Sequence, residues 1–193
     1  MDASHYGTLY DSLLRAAAKY GDQPAYVVPP MVGRAYHPDG WQVTWQETLD
    51  AVEDKKRAYQ DAGIGYGHRV AILFAQRPEF FFHYYALNAL GAGIVPINPD
   101  YRVDEIRYVV DHSDASLALC VDSRLEDMEA VAKSIGNGLP VLSLEHFPDR
   151  VPQPLGDPQP GEPGAHTEAA LLYTSGTTGR PKGCILTNEY FHT

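Results

Sequence analysis

Short, largely apolar runs set the strongest limit on how this chain can fold: Val70–Phe74, Ile94–Ile97, Leu117–Val121, Val141–Leu144 and Ala169–Tyr173. Each is too short for a stable helix and lacks the in–out alternation of a half-exposed strand, so each reads as a buried strand. Helix signatures lie between them. Pro78 and Glu79 suit the first turn of a segment running through Phe80-Phe81-Phe82-His83-Tyr84-Tyr85 to Leu90. Asp104–His112 carries acidic residues at its start. Ser123-x-x-Glu126 reads as a capping box for a helix to Ile135. Strand and helix in alternation predict an α/β fold, a mostly parallel sheet flanked by helices on both faces.

Upstream, Thr8-x-x-Asp11 predicts a capped helix to Tyr20, with Leu9, Leu13, Ala16 and Ala17 on one face. Ala25–Val28 reads as a short strand, 31–40 as a surface loop or hairpin, and Thr44-x-x-Glu47 as the start of a helix to about Ala62. The helix from Pro78 is apolar on nearly all sides, which argues for burial between the sheet and its neighbours. Residues 145–166 break the pattern: 22 residues hold six prolines and three glycines, unsuited to a helix or an inner strand. The expected organisation is an α/β subdomain over 1–144, a surface connection over 145–166 and a strand pair over 167–193.

A chain of 193 residues with 44% hydrophobic and 21% charged residues can bury a sizeable core. Its net charge of −10 makes nucleic acid and anionic membranes poor general partners. No apolar run approaches the ~20 residues of a membrane span, and the acidic N-terminus does not resemble a signal peptide, so the cytoplasm is the expected compartment. Cys120 and Cys184 sit in apolar runs and are expected to be buried, reduced thiols. The eight histidines show no ligand spacing, and no protein-bound metal is expected.

The chemistry lies in residues 172–183, Leu-Tyr-Thr-Ser-Gly-Thr-Thr-Gly-Arg-Pro-Lys-Gly. Thr174, Ser175, Thr177 and Thr178 offer hydroxyls that donate to phosphate oxygens, Gly176 and Gly179 let backbone N–H groups approach an anion, and Lys182 adds a point charge. Arg180 adds positive charge in an acidic chain. A Walker A loop would end in Gly-Lys-Ser/Thr. Here Pro181 precedes the lysine, Gly183 follows it, and Cys184-Ile185-Leu186 predicts a second strand, giving strand, loop, strand.

Tyr173 to Gly183 resembles the phosphate-loop signature of acyl-adenylate-forming enzymes, the acyl-CoA synthetases among them. Val43-Thr44-Trp45-Gln46-Glu47 and Asn88-Ala89-Leu90-Gly91-Ala92-Gly93-Ile94-Val95-Pro96-Ile97-Asn98-Pro99 resemble the family's early strand-to-helix step and its helix-turn-strand segment, so the likeness covers nearly the whole chain. Asn188 stands where the family often has His, and Arg102-Val103 where a Thr-Pro helix start is common. The resemblance implies the N-terminal subdomain of the adenylate-forming fold, taken from an ATP-dependent carboxylic acid–CoA ligase. ATP, Mg2+ and coenzyme A would be its cofactors and a small carboxylic acid its substrate. Thr174, Ser175, Gly176, Thr177, Thr178, Gly179 and Lys182 would hold the phosphates, Lys182 stabilising the departing pyrophosphate. The family's remaining essentials lie downstream of its phosphate loop, so the expectation is a fragment, catalytically incomplete alone, that self-associates through an exposed sheet edge. A fragment of an amino-acid-activating domain and a non-enzymatic module binding phosphate weakly are the alternatives.

Overall fold

The computed structural model describes residues 7–74, 76–174 and 181–192. Helix α1 (Leu9–Tyr20) starts where the capping box requires. The Asp11 N–H donates to the Thr8 hydroxyl at 3.1 Å and the Thr8 N–H to the Asp11 carboxylate at 2.7 Å. Strands β1 (Pro24–Val28) and β2 (Trp41–Thr44) form an antiparallel pair joined by a loop. Thr44 and Glu47 repeat the reciprocal cap, at 3.2 and 2.8 Å, to open α2 (Trp45–Asp61).

The main sheet follows: β3 (Arg69–Leu73), α3 (Glu79–Ala89), β4 (Gly93–Pro96), α4 (Val103–His112), β5 (Leu117–Cys120), α5 (Leu125–Ile135), β6 (Val141–Ser143), β7 (Glu168–Thr174) and β8 (Lys182–Thr187). The six strands lie in the order β6-β5-β3-β4-β7-β8, every neighbouring pair parallel except β7 and β8. Val70 and Ile72 of β3 pack with Leu13, Val52, Tyr59 and Leu87 of α1–α3. Ala71 and Leu73, pointing the other way, pack with Ile106, Val109, Met128 and Val131 of α4 and α5. This is the expected parallel sheet with helices on both faces, and period-two alternation along one strand fills both cores.

One helix start differs from the sequence reading. Ser123 is no cap: Asp122–Arg124 form a 3-10 turn and α5 begins at Leu125 without a side-chain cap. Asp122 accounts for it. Its N–H donates to Glu145 at 2.8 Å and its carboxylate accepts from the Ser143 hydroxyl and pairs with His146, which turns the chain before Ser123 can cap. At α4 the Glu105 carboxylate still accepts the Arg102 N–H at 2.9 Å, but arginine has no acceptor to return the bond, so half a capping box remains.

Residues 145–166 contain no helix or strand. They lie against the amino ends of the strands: the Leu155 N–H donates to the Ser116 carbonyl and the Gln159 N–H to the Tyr66 carbonyl, both at 2.9 Å. Gly161 is required there, because a Cβ would sit 2.6 Å from the Tyr66 ring.

Two buried asparagines join distant parts of the chain. The Asn188 Oδ1 accepts from the Leu9 N–H at 3.1 Å and from the Asn88 amide at 2.7 Å. The Asn88 Oδ1 accepts from the Tyr10 N–H at 3.1 Å. The Asn188 amide donates to the carbonyls of Gly164 (2.9 Å) and Thr167 (3.3 Å). The first N–H groups of α1, which no helix can satisfy internally, therefore end on side chains in the last turn of α3 and just after β8. Asn188→Ala is expected to strand these groups and cost about 3 kcal/mol, lowering Tm by about 6–12 °C, as read by calorimetry.

The aromatic face of α3 buries His83 completely, with Nδ1 at 2.8 Å from the Tyr59 hydroxyl and the rings of Phe74 and Phe147 around it. Its Nε2 has no partner among the described residues. Burial, with a lesser push from Lys55, drives its pKa down to about 3. A depressed histidine contributes stability that is complete above its unfolded value of about 6.5 and lost as pH falls towards about 3. Urea titrations between those limits are expected to show stability falling towards about 1.4 kcal/mol per pH unit, a component that His83→Gln should remove.

Candidate functional site

Strands β7 and β8 place the ends of the hydroxyl-rich loop side by side. Thr174 closes β7, Lys182 opens β8, and the two are register partners; Tyr173 faces Gly183 one step further in. Because β7 runs parallel to β4 through Ile94 and Ala170, the hairpin opens at the carboxyl end of the sheet, where α/β proteins place ligands. The two strands expected on either side of residues 175–180 are present. Thr174 and Lys182 are both exposed, and no described residue forms an ion pair with Lys182. Ser175, Gly176, Thr177, Thr178, Gly179 and Arg180 lie outside the described residues.

The stem is held from one side by α4. The Tyr108 hydroxyl donates to the Pro181 carbonyl at 3.1 Å. The Tyr173 hydroxyl lies 2.8 Å from His112 Nδ1, and burial pushes that phenol up to about 12. The Tyr108 and Tyr173 rings meet edge to face, 6.4 Å between centroids. Gly183 makes room for this: a Cβ there would lie 3.0 Å from Leu171 and 3.4 Å from the Tyr173 ring. The base of β7 is tied by Glu168, whose carboxylate takes two bonds from Arg69 at 2.7 and 2.8 Å. Arg69, Tyr108, His112 and Glu168 escaped the sequence reading because each lies more than fifty residues from its partner or carries no motif. The helical spacing of Tyr108 and His112, four residues apart on α4, was the available signal.

One expectation is corrected. Cys120 is buried, its thiol pushed up to about 12 by desolvation and nearby carboxylates, but Cys184 is exposed. The reason is topological: β8 is an edge strand that, among the described strands, pairs with β7 alone, and its apolar run is left exposed over Lys182–Ile185. A cleft of about 610 Å³ lies elsewhere, between β1, the end of β3 and the start of α3, lined by Tyr26, Arg34, Tyr36, Phe74 and Phe81. No described residue of the hairpin lines it. The hairpin has the charge and the donors; the cleft has mainly apolar walls, and its Arg77 is already paired with Glu79 and Glu145. In the native protein one thiol, Cys184, is expected to react promptly with an aromatic disulfide reagent. Cys120 should react only on unfolding, and Cys184→Ser should abolish the prompt phase.

Residues 13–193 match the family described as AMP-binding enzyme, and the chain belongs to that family. The sulfoacetate–CoA ligase of Cupriavidus necator is 28% identical over 193 residues, an alignment covering 95% of this chain and 35% of that protein. Long chain acyl-CoA synthetase 3 of Arabidopsis thaliana is 29% identical over 197 residues, covering 83% of this chain and 28% of its own length. Among solved structures, the N-terminal domain of FACL13 from Mycobacterium tuberculosis superposes with a TM-score of 0.76 at 23% identity, covering 94% of this chain and 44% of that one. The chain thus spans about a third or less of the curated relatives it matches. No helix among the described residues is long and apolar enough to cross a membrane.

Proposed function

We propose that this chain is the phosphate-loop-bearing N-terminal portion of an ATP-dependent, AMP-forming carboxylic acid–CoA ligase. The observation that carries the reading is the register of Thr174 against Lys182 at the carboxyl end of the sheet. Two donors of different kinds, a hydroxyl and an ammonium, flank the mouth of a loop rich in hydroxyls and glycines. That arrangement suits an anion with several oxygens, and the names of the relatives, CoA ligases and synthetases, support the class.

The chemistry asks for such a cradle. A carboxylate attacking the α-phosphate of ATP approaches a group already negative, and the leaving pyrophosphate gathers charge. Thr174, Ser175, Gly176, Thr177, Thr178 and Gly179 would donate to the β- and γ-phosphates, and Lys182 would balance the charge that develops. None of these residues acts as base or nucleophile, because the substrate's own carboxylate attacks. Magnesium would arrive with the nucleotide and shield the phosphates; coenzyme A would take the acyl group in the second half-reaction. The acid is a small-molecule carboxylate, and its pocket and the thiol site belong to the rest of the enzyme, as does complete catalysis.

The chain is expected to bind MgATP weakly, and Lys182→Ala to weaken that binding at least about tenfold, the worth of a charge-assisted hydrogen bond. Ligand-observed NMR or calorimetry measures it. Binding that is tight and indifferent to Lys182→Ala contradicts the reading, as does pyrophosphate release by this chain with any carboxylic acid.

A further inference from the structure

We propose that Tyr108 on α4 is a positioning residue for Lys182, with His112 and Tyr173 as its support; this rests on the phosphate reading of the hairpin. Pro181 has no N–H, so its carbonyl is the one backbone hydrogen-bonding group it can offer, and that carbonyl accepts the Tyr108 hydroxyl at 3.1 Å. One turn along α4, His112 holds the Tyr173 hydroxyl at 2.8 Å. The two bonds grip both strands of the stem from a single helix, Pro181 just before β8 and Tyr173 within β7.

The side on which they grip decides what they do. Tyr173 and Leu171 pack in the core beneath α4 and α5, and Gly183 lies against both. Successive residues of a strand point to opposite faces. Lys182 is next to Gly183, so its side chain leaves β8 on the face opposite α4. Thr174, its register partner, leaves β7 on that same face. The Pro-Lys-Gly sequence therefore divides its work. Pro181 docks on α4, Gly183 admits the Tyr173 ring, and Lys182, held between them, is turned outward with its ammonium uncommitted to any described carboxylate.

β8 is an edge strand with exposed residues over Lys182–Ile185, so among the described residues the pairing with β7 and the Tyr108 bond at Pro181 set the direction of Lys182. Without the Tyr108 hydroxyl the Pro181 carbonyl would turn to water, and Lys182 would sample directions that do not meet the phosphates. A residue that acts this way changes affinity without changing the charge at the site, and it changes nothing once Lys182 is gone.

The test uses the 193-residue chain with MgATP and inorganic tripolyphosphate as probes. Affinity is measured for wild type, Tyr108→Phe, Lys182→Ala and the double variant. Tyr108→Phe keeps the ring and its packing and should weaken both probes about fivefold, the net worth of one neutral hydrogen bond. In the double variant it should add nothing to the loss from Lys182→Ala. Amide exchange in β8 next to Lys182 should quicken while that of β3 and β5 is unchanged. Wild-type affinity in Tyr108→Phe beside a weakened Lys182→Ala overturns this proposal and leaves the phosphate reading standing. A Tyr108→Phe loss that adds fully to that of Lys182→Ala also overturns it, as a purely structural role would produce that sum. A wild-type chain that binds neither probe overturns both.

Discussion

The buried amide bridge between Asn88 and Asn188 is the contact on which the arrangement of this chain turns. It sits where four segments meet: the first turn of α1, the last turn of α3, the stretch Gly164–Thr167, and the residue after β8. None of these segments neighbours another in sequence: even the nearest two, Gly164–Thr167 and Asn188, have β7 and β8 between them. A buried amide with unmet hydrogen bonds is costly, so the bridge tolerates one mutual geometry. It makes the end of β8 and the start of α1 conditional on each other, and that fixes the base of the hairpin formed by β7 and β8. Asn188 is thus a structural joint in this chain.

The hairpin is held at two levels. At its base, the Arg69–Glu168 pair and the asparagines set where β7 and β8 sit in the sheet. Near its tip, α4 holds Pro181 and Tyr173. Between them the glycines are matters of clearance: Gly93 has Glu168 Oε1 2.8 Å from where its Cβ would be, and Gly183 has the Tyr173 ring alongside. Gly93 and Gly183 thus let Glu168 and the Tyr173 ring come close enough to hold the stem of the hairpin.

Much of the fold was legible in the sequence because its signals are local. The reciprocal caps at Thr8 and Thr44, the apolar runs of β3 and β5 and the aromatic run of α3 each speak through residues a few positions apart. The failures came where a distant group intervened. Ser123 lost its cap to Asp122, which answers to β6. Cys184 was read as buried because its run is apolar, but burial depends on what lies over a strand, and the edge position of β8 follows from strand order alone. In the site, the residue types were visible and their support was not. Nothing around Tyr108 announces that its hydroxyl meets Pro181, and an Arg–Glu pair ninety-nine residues apart leaves no local trace.

The proline-rich stretch 145–166 acquires a different meaning once its route is followed. It begins beside the carboxyl end of β6 and is then bonded to Ser116 and Tyr66 at the amino ends of the strands. The sheet is thereby laced at the end remote from the hairpin tip. The lacing and the Thr174–Lys182 pair lie at opposite ends of the sheet. Sequence change at the laced pole is felt as a change in how firmly the sheet holds together, and change at the hairpin pole as a change in what it holds. The two properties can drift separately, so a family built on this plan can alter its ligand without renegotiating its fold.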